Sequence, residues 1–326
     1  MPGKLIVDEI EDSGGSSVIG RKNAIINGNF DIWQRGTSFT ATGYTADRWN
    51  AIVSGTGTTT ISQQSFTLGQ TDVPNEPKYY LRVAKSSGAA SGDYLSSKNE
   101  SVRKFAGQAT VISFYAKASA STTLTPTIRQ NFGTGGSPSS VNDATKSDIS
   151  VTTSWQKFTI THTFDSISGK TLGTDGNDHI ELFFNIQNGA GDSVDFAQFQ
   201  WEKGGVATDF DIRPIGEEIH LCKRYYQIIS GSSLHSCGIQ KNITDNQYKV
   251  VSPVVLPVEL RGLDGTVTIP SSTTNFSWQE AANSRTSIGD INTSNGQLLI
   301  YTSWTGTTLD AHAINVGGDI EIDAEL

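Results

Sequence analysis

Paired carboxylates are the first residues in this chain that could do chemistry. Asp175-Gly176-Asn177-Asp178 and Asp192-Ser193-Val194-Asp195 each bring two acids close together. Two carboxylates flanking a glycosidic bond can cut it, and loop carboxylates with carbonyls can hold a structural calcium. Asp is also a turn former, and both tracts sit among Gly, Asn and Ser as hairpin loops do. The turn reading is favoured, so no catalytic residue and no cofactor is expected; a metal would be a structural calcium without assigned ligands. His162, His179, His220, His235 and His312 form no HExxH, and neither GxSxG nor GxxxxGK[ST] is present. Cys222 and Cys237, the only cysteines, lie in no CxxC or metal finger and read as two thiols, with a single bridge as the alternative. Gly133-Thr134-Gly135-Gly136 has no helical pattern after it and reads as a flexible loop rather than a phosphate cradle.

Stacking chemistry is the stronger signal. Indole faces stack on the apolar faces of sugar rings while Asp, Arg and Asn bind hydroxyls. Trp33, Arg35, Asp47, Arg48 and Trp49 have the right composition for this. They fit equally a fold-anchoring role, with both indoles in the core and Arg35 and Asp47 as a buried paired strut, and that role is favoured. Trp155 precedes an alternating strand and reads as core. Trp201 lies beside Glu202, Lys203 and a Gly-Gly turn, which predicts partial exposure and makes it a glycan-binding candidate. Tyr79 and Tyr80 are adjacent and so point to opposite faces of a strand, one of them exposed. Trp278, Tyr301 and Trp304 lie beside Ser, Thr, Asn and Gly-rich turns and are the further glycan-binding candidates, against inward packing as the alternative.

These side chains need elements to position them. The chain has 326 residues with 33 Gly, 37 Ser and 36 Thr, a composition that favours strands and turns over helix bundles. Its 14 Phe, 9 Tyr and 6 Trp require a packed core and argue against disorder throughout. Twenty-four Lys+Arg against 33 Asp+Glu give a net charge of −9, which argues against a nucleic-acid partner held by counterion release. No apolar run approaches the roughly 20 residues of a membrane span, so no membrane insertion is expected, and the acidic opening after Met1 resembles no secretion signal.

The pattern divides the chain into four parts. Residues 1–20 are a short apolar-acidic peptide and a Gly/Ser linker that needs a partner to order it. Residues 21–214 show period-two runs at Val111–Lys117, Trp155–Phe164 and Ile180–Ile186, with a less regular run at Val194–Trp201. These predict antiparallel strands in a two-sheet sandwich. A connecting helix is predicted within 215–227, over Glu217–Gln227, with acids in its first turn and Lys223-Arg224 in its last. Residues 228–326 return to strand patterning and predict a second, smaller β-sandwich-like domain. The fold class is therefore all-β.

Asn27-Gly28-Asn29-Phe30-Asp31-Ile32-Trp33-Gln34-Arg35-Gly36, followed by Tyr44-Thr45-Ala46-Asp47-Arg48-Trp49, resembles the opening of a domain common in bacteriophage tail fibres and other virion proteins. Trp201-Glu202-Lys203-Gly204-Gly205-Val206-Ala207-Thr208-Asp209-Phe210-Asp211-Ile212-Arg213-Pro214, running into Gly216-Glu217-Glu218 and Cys222-Lys223-Arg224-Tyr225-Tyr226, resembles the same family's closing signature. The ending Asp323-Ala324-Glu325-Leu326 and the opening Lys4–Asp12 are similar to fibre termini and to virion-attachment tags. The resemblance implies a carbohydrate-binding-module-like jelly roll in a homotrimeric receptor-binding fibre. Such a fibre joins a virion tail or adaptor protein through residues 1–20, binds host surface polysaccharide without catalysis, and is assembled in the host cytoplasm. With no heptad run, a trimer would be held by β-domain faces or N-terminal segments. A structural adaptor, shaft or decoration protein is the alternative, and a glycan depolymerase the third reading.

Overall fold

The computed structural model describes residues 22–229 apart from 55–56 and 89–92, and beyond them 238–242, 247–255, 258, 260–261, 276–278, 290–294, 297–305, 314–316 and 320–325. Within 229–320, side chains are described only at 258, 260 and 261. The chain divides into two compact units, one running to Ile219 and the other from His220 to Glu325.

The first unit holds β1 (Ser38–Phe39), β2 (Gly43–Tyr44), β3 (Trp49–Ile52), β4 (Thr59–Ser65), β5 (Tyr79–Lys85), β6 (Asp93–Glu100) and β7 (Ala109–Ala118). It continues with β8 (Thr122–Asn131), β9 (Asn142–Thr145), β10 (Ile149–Val151), β11 (Gln156–Thr163), β12 (His179–Ile186) and β13 (Ser193–Lys203). One sheet runs β1-β4-β5-β13-β7-β11 and the other β10-β8-β12-β6-β3-β2, with β9 paired to β8. Within them, β5-β13-β7-β11 faces β6-β12-β8-β10, and from β5 to β8 the chain changes sheet at each step. That order is the double Greek key of a jelly roll.

Alternation decides which side chains enter the core. On β7, Ile112, Phe114 and Ala116 are fully buried between the sheets, while Tyr115 and Lys117 face outward and stay half-buried. On β12, Ile180, Leu182, Phe184 and Ile186 do the same. Strand β13 breaks the rule. Its register shifts between Ala197 and Gln200, and Gln198 sits at φ 49°, the left-handed region. The extra residue of this bulge turns the strand over. Val194 and Phe196 point inward before it, and Phe199 and Trp201 point inward after it. Phe30, Trp49, Phe114, Phe184, Phe196 and Phe199 then form a continuous set of ring contacts at 4.7–6.4 Å.

A buried ion pair joins the two sheets where β5 ends and β6 begins. Lys85 Nζ lies 3.0 Å from Asp93 Oδ2, and the two side chains are 1% and 5% exposed. Thr59 donates to the same oxygen, and the Ser54 amide to the other.

Helix α1 (Ile215–Lys223) is shorter than the predicted Glu217–Gln227. Glu217 and Glu218 donate their amides to Pro214 O, which fixes the start of the helix. Strand pairing takes its expected last turn: β14 (Tyr226–Ile229) pairs with β21 (Ile320–Asp323), Tyr226 opposite Asp323. Among the described residues no helix is long and apolar enough to cross a membrane.

Beyond the end of α1, the regular structure of the second unit is antiparallel β in its described residues. Between β14 and β21 it holds β15 (Gly238–Asn242), β16 (Gln247–Val255), β17 (Phe276–Trp278), β18 (Asp290–Ser294), β19 (Gln297–Thr305) and β20 (Ile314–Val316). A sheet β15-β16-β19-β18 accompanies the pairs β14-β21 and β17-β20. Arg261 holds the last residues onto the first, donating its backbone amide to Arg224 O and its guanidinium to Ala324 O and Glu325 O.

Candidate functional site

The two sequence signatures meet in space, and what they build is a seam. Asn27 donates through Nδ2 to Ile32 O and Asp47 O, and accepts from Ile32 N at Oδ1. Its carbonyl accepts the Trp49 indole N–H at 3.1 Å. Asp47 is fully buried and accepts from the Gln34 backbone and side chain; burial still raises its carboxyl above the usual range. From the closing segment, Arg213 binds both oxygens of Glu218 at 3.0 and 3.1 Å and donates to Ile25 O and Asn23 O, while Asn27 N donates to Glu218. Asn23 Oδ1 accepts from Trp201 N. Glu202 and Gln200 bind the irregular segment that follows β13 at Thr208, Asp209 and Asp211.

The individual motif residues follow from this seam. Trp49 has no exposed surface, and Arg48 is buried with its guanidinium on Lys98 O. Trp33 is half-buried, packs against the core and donates its indole N–H to Phe30 O. Arg35 is half-buried with its guanidinium 5.3 Å from the centre of the Tyr44 ring.

Trp201 overturns the expectation of partial exposure. It is 0% exposed, sandwiched among Phe105 and Phe164, with its N–H on Thr110 Oγ1. No ring face remains for a sugar, so Trp201 leaves the glycan-binding set. The bulge at Gln198 is the cause, because it turns an outward parity inward.

Trp155 is corrected in the opposite direction. It is absent from the core and stands half-buried on the outer face of the β4-β5-β13-β7-β11 sheet. There it meets Phe66 at 5.3 Å and Tyr80 edge-on at 5.5 Å, and Phe66 meets Tyr80 at 4.8 Å. All three rings are half-buried. Tyr79 is equally half-buried, under Lys78, so the adjacent tyrosines do not divide into one exposed and one hidden.

Register places charge beside these rings. Asp195 lies opposite Arg82 on one side and Lys117 on the other. Arg82 grips the Asp195 carboxylate with Nε at 2.7 Å and Nη2 at 2.9 Å, and that hydrogen bond holds the guanidinium proton more tightly than usual. Lys117 Nζ stands 5.2 Å from the Trp155 ring centre, 5.8 Å from Tyr80 and 3.8 Å from Asp195 Oδ2. Burial, and then Asp195, raise the Tyr80 hydroxyl pKa, so it stays protonated as a donor. One row along, Tyr115 of β7 and Lys157 of β11 are register partners. With Pro74, Asn75, Ser113, Gln198, Asp209 and Phe210 they line a cavity of about 120 Å³. Flat rings, a protected hydroxyl, charged donors and an adjoining polar hollow can bind a polyhydroxylated chain lying across the strands.

The other sheet's outer face carries a smaller pair, Tyr94 and Phe183 at 6.0 Å. Arg129 lies over Phe183, but its guanidinium is engaged by Asp143 at 2.7 and 2.8 Å and by Glu181 at 3.4 Å.

The acidic tracts take structural positions. Asp175 accepts from Thr134 and Asn177 binds the Thr134 amide, so 133–136 is a laced loop rather than a flexible one. Asp178 accepts from Ser101 Oγ and Val102 N, and Asp192 accepts from Ser119 Oγ. Among the described residues no group of three His, Cys, Asp or Glu side chains converges to hold a metal ion. Cys222 is a buried thiol, and Cys237 lies outside the described residues. Residues 1–20 also lie outside them, as do the side chains of Trp278 on β17 and of Tyr301 and Trp304 on β19.

No protein-family model matches the chain, and no curated protein matches it. Among solved structures, the chain is similar to a CBM4 module at 14% identity and TM-score 0.33, over 55% of this chain and 99% of that one. It is similar to the CBM22-1 xylan-binding domain of Paenibacillus barcinonensis Xyn10C at 16% identity and TM-score 0.32, covering 52% and 94%. The enzymatically active domain of bacteriophage CBA120 tailspike protein 4 is similar at 13% identity and TM-score 0.36, over 56% of this chain and 21% of that one.

Proposed function

We propose that this chain is a non-catalytic virion protein that binds host cell-surface glycan on the outer face of the β4-β5-β13-β7-β11 sheet. The observation that carries the proposal is the half-buried group Phe66, Tyr80 and Trp155 with Lys117 across its rings. Half-buried rings clustered on the outer face of a sheet leave aromatic surface open to solvent, and sugar stacking is the chemistry that such surface fits. The virion setting draws on the likeness of the Asn27–Gly36, Tyr44–Trp49 and Trp201–Pro214 segments to tail-fibre domains. In that setting residues 1–20 attach to the tail or an adaptor, and three copies raise a weak sugar affinity by avidity.

Adsorption of the full chain to bacterial cells, competed by their purified surface polysaccharide, tests this. Tyr80→Ala with Trp155→Ala should abolish adsorption, while polymer viscosity stays constant on incubation. Adsorption lost instead with Trp278→Ala and Trp304→Ala would move the site to the second unit. A structural adaptor without glycan affinity is the alternative, favoured by the motif residues being spent on the seam; it predicts no adsorption by any form of the protein.

A further inference from the structure

Resting on the glycan-binding reading above, we infer that the bound glycan is acidic, with a carboxylate-bearing sugar seated between Lys117 and Arg82. Asp195 is 3% exposed, and its carboxylate is taken bidentately by Arg82. It therefore neutralises one cation of the two that face it. Lys117, 30% exposed, is left with Asp195 at 3.8 Å, beyond hydrogen-bond distance, and two ring faces. Ring faces attract an ammonium but accept none of its three N–H donors as an oxygen would. Arg82, 33% exposed, spends Nε and Nη2 on Asp195 and Tyr80, and its Nη1 has no acceptor among the described residues.

Two cations with donors to spare, against one buried and occupied acid, leave a local positive excess on a chain of net charge −9. The excess sits beside the rings on which a sugar would stack. A carboxylate on that sugar accepts from Lys117 Nζ and Arg82 Nη1, as charge-assisted hydrogen bonds favour. The opposite sheet supplies the contrast, since the Arg129 guanidinium over Phe183 already has Asp143 and Glu181. A neutral glycan would offer the Lys117 donors only hydroxyl and ring oxygens, weaker acceptors than a carboxylate.

The test is an array of uronate-bearing polysaccharides probed with the full-length chain. Polygalacturonate, alginate, hyaluronate and bacterial capsular polymers are each printed native and carboxyl-reduced, with dextran as a neutral control. Native polymers should bind at least about tenfold more tightly than their reduced forms, a factor expected of one charge-assisted contact. Lys117→Gln should erase that difference and Lys117→Arg should keep it. Equal binding of native and reduced forms, or preference for the reduced ones, overturns the acidic assignment while leaving the glycan reading in place. Binding to no polysaccharide in either form overturns both.

Discussion

At the residue scale, two tryptophans exchange the positions that their neighbourhoods suggest, and parity explains both. Phe158, Ile160 and Phe164 are even-numbered and face in, so odd-numbered Trp155, one residue before β11, faces out. That signal is in the sequence, although the strand's general apolar character masks it. Trp201 shares odd parity against inward Val194 and Phe196, and only the bulge at Gln198 turns it inward. A bulge is invisible to a period-two reading unless two large apolar residues resume on the other parity, as Phe199 and Trp201 do. The consequence is measurable by chemical denaturation. Trp201→Ala and Trp49→Ala should each cost about 3–5 kcal/mol of stability, whereas Trp155→Ala should cost well under that. Gly28→Ala belongs with the severe cases. A Cβ there would stand 2.1 Å from Phe199 O, so the first loop and β13 must separate. Its loss should exceed the roughly 1–3 kcal/mol of a single residue held in strained backbone.

At the element scale, the sheets are legible and the fastenings between them are not. Alternation on β7, β11 and β12 marks strands and inward faces, because one side of each is buried. The Lys85–Asp93 pair falls at strand ends, where no pattern distinguishes a buried charge from a solvated one. Breaking such a pair strands a charge, so Asp93→Ala should cost about 3–5 kcal/mol, while Lys85→Met with Asp93→Leu should recover much of that loss. Helix α1 shows a similar limit: its local pattern continues to Gln227, but pairing of β14 with β21 captures Tyr226.

The imidazoles set a pH dependence on the same sheets. Burial pushes His162 and His179 down to about 4. In the unfolded chain they take up protons from about pH 6.5, while in the folded state they stay neutral. Stability from this source is present at neutral pH and is lost as pH falls from about 6.5 towards 4. Thermal unfolding across that window should show the decline, and His162→Gln with His179→Gln should flatten it.

At the scale of the whole molecule, the first unit is a complete jelly roll closed by its own two signatures, with Arg213 and Glu218 reaching Asn23, Ile25 and Asn27. Side chains spent on that seam are not open to a ligand, so under the proposed reading the motifs do not mark the glycan-binding face. Side chains fixed by the seam tolerate little change, whereas the platform consists of ordinary outward positions on β5, β7 and β13. The fibre reading makes the full chain a homotrimer, and light scattering at micromolar concentration should return three times the chain mass. A monomer at that concentration would remove the avidity on which shallow stacking sites depend.

Glycan bound as proposed lies across the outer face of β5-β13-β7-β11. Hydroxyl-radical footprinting of the full chain, free and saturated with a polysaccharide that it adsorbs, reads this directly. Phe66, Tyr80 and Trp155 should lose reactivity on binding, with Tyr94 and Phe183 unchanged. Protection of Tyr94 and Phe183, or of Trp278 and Trp304, with the three platform rings as reactive as before, would contradict it.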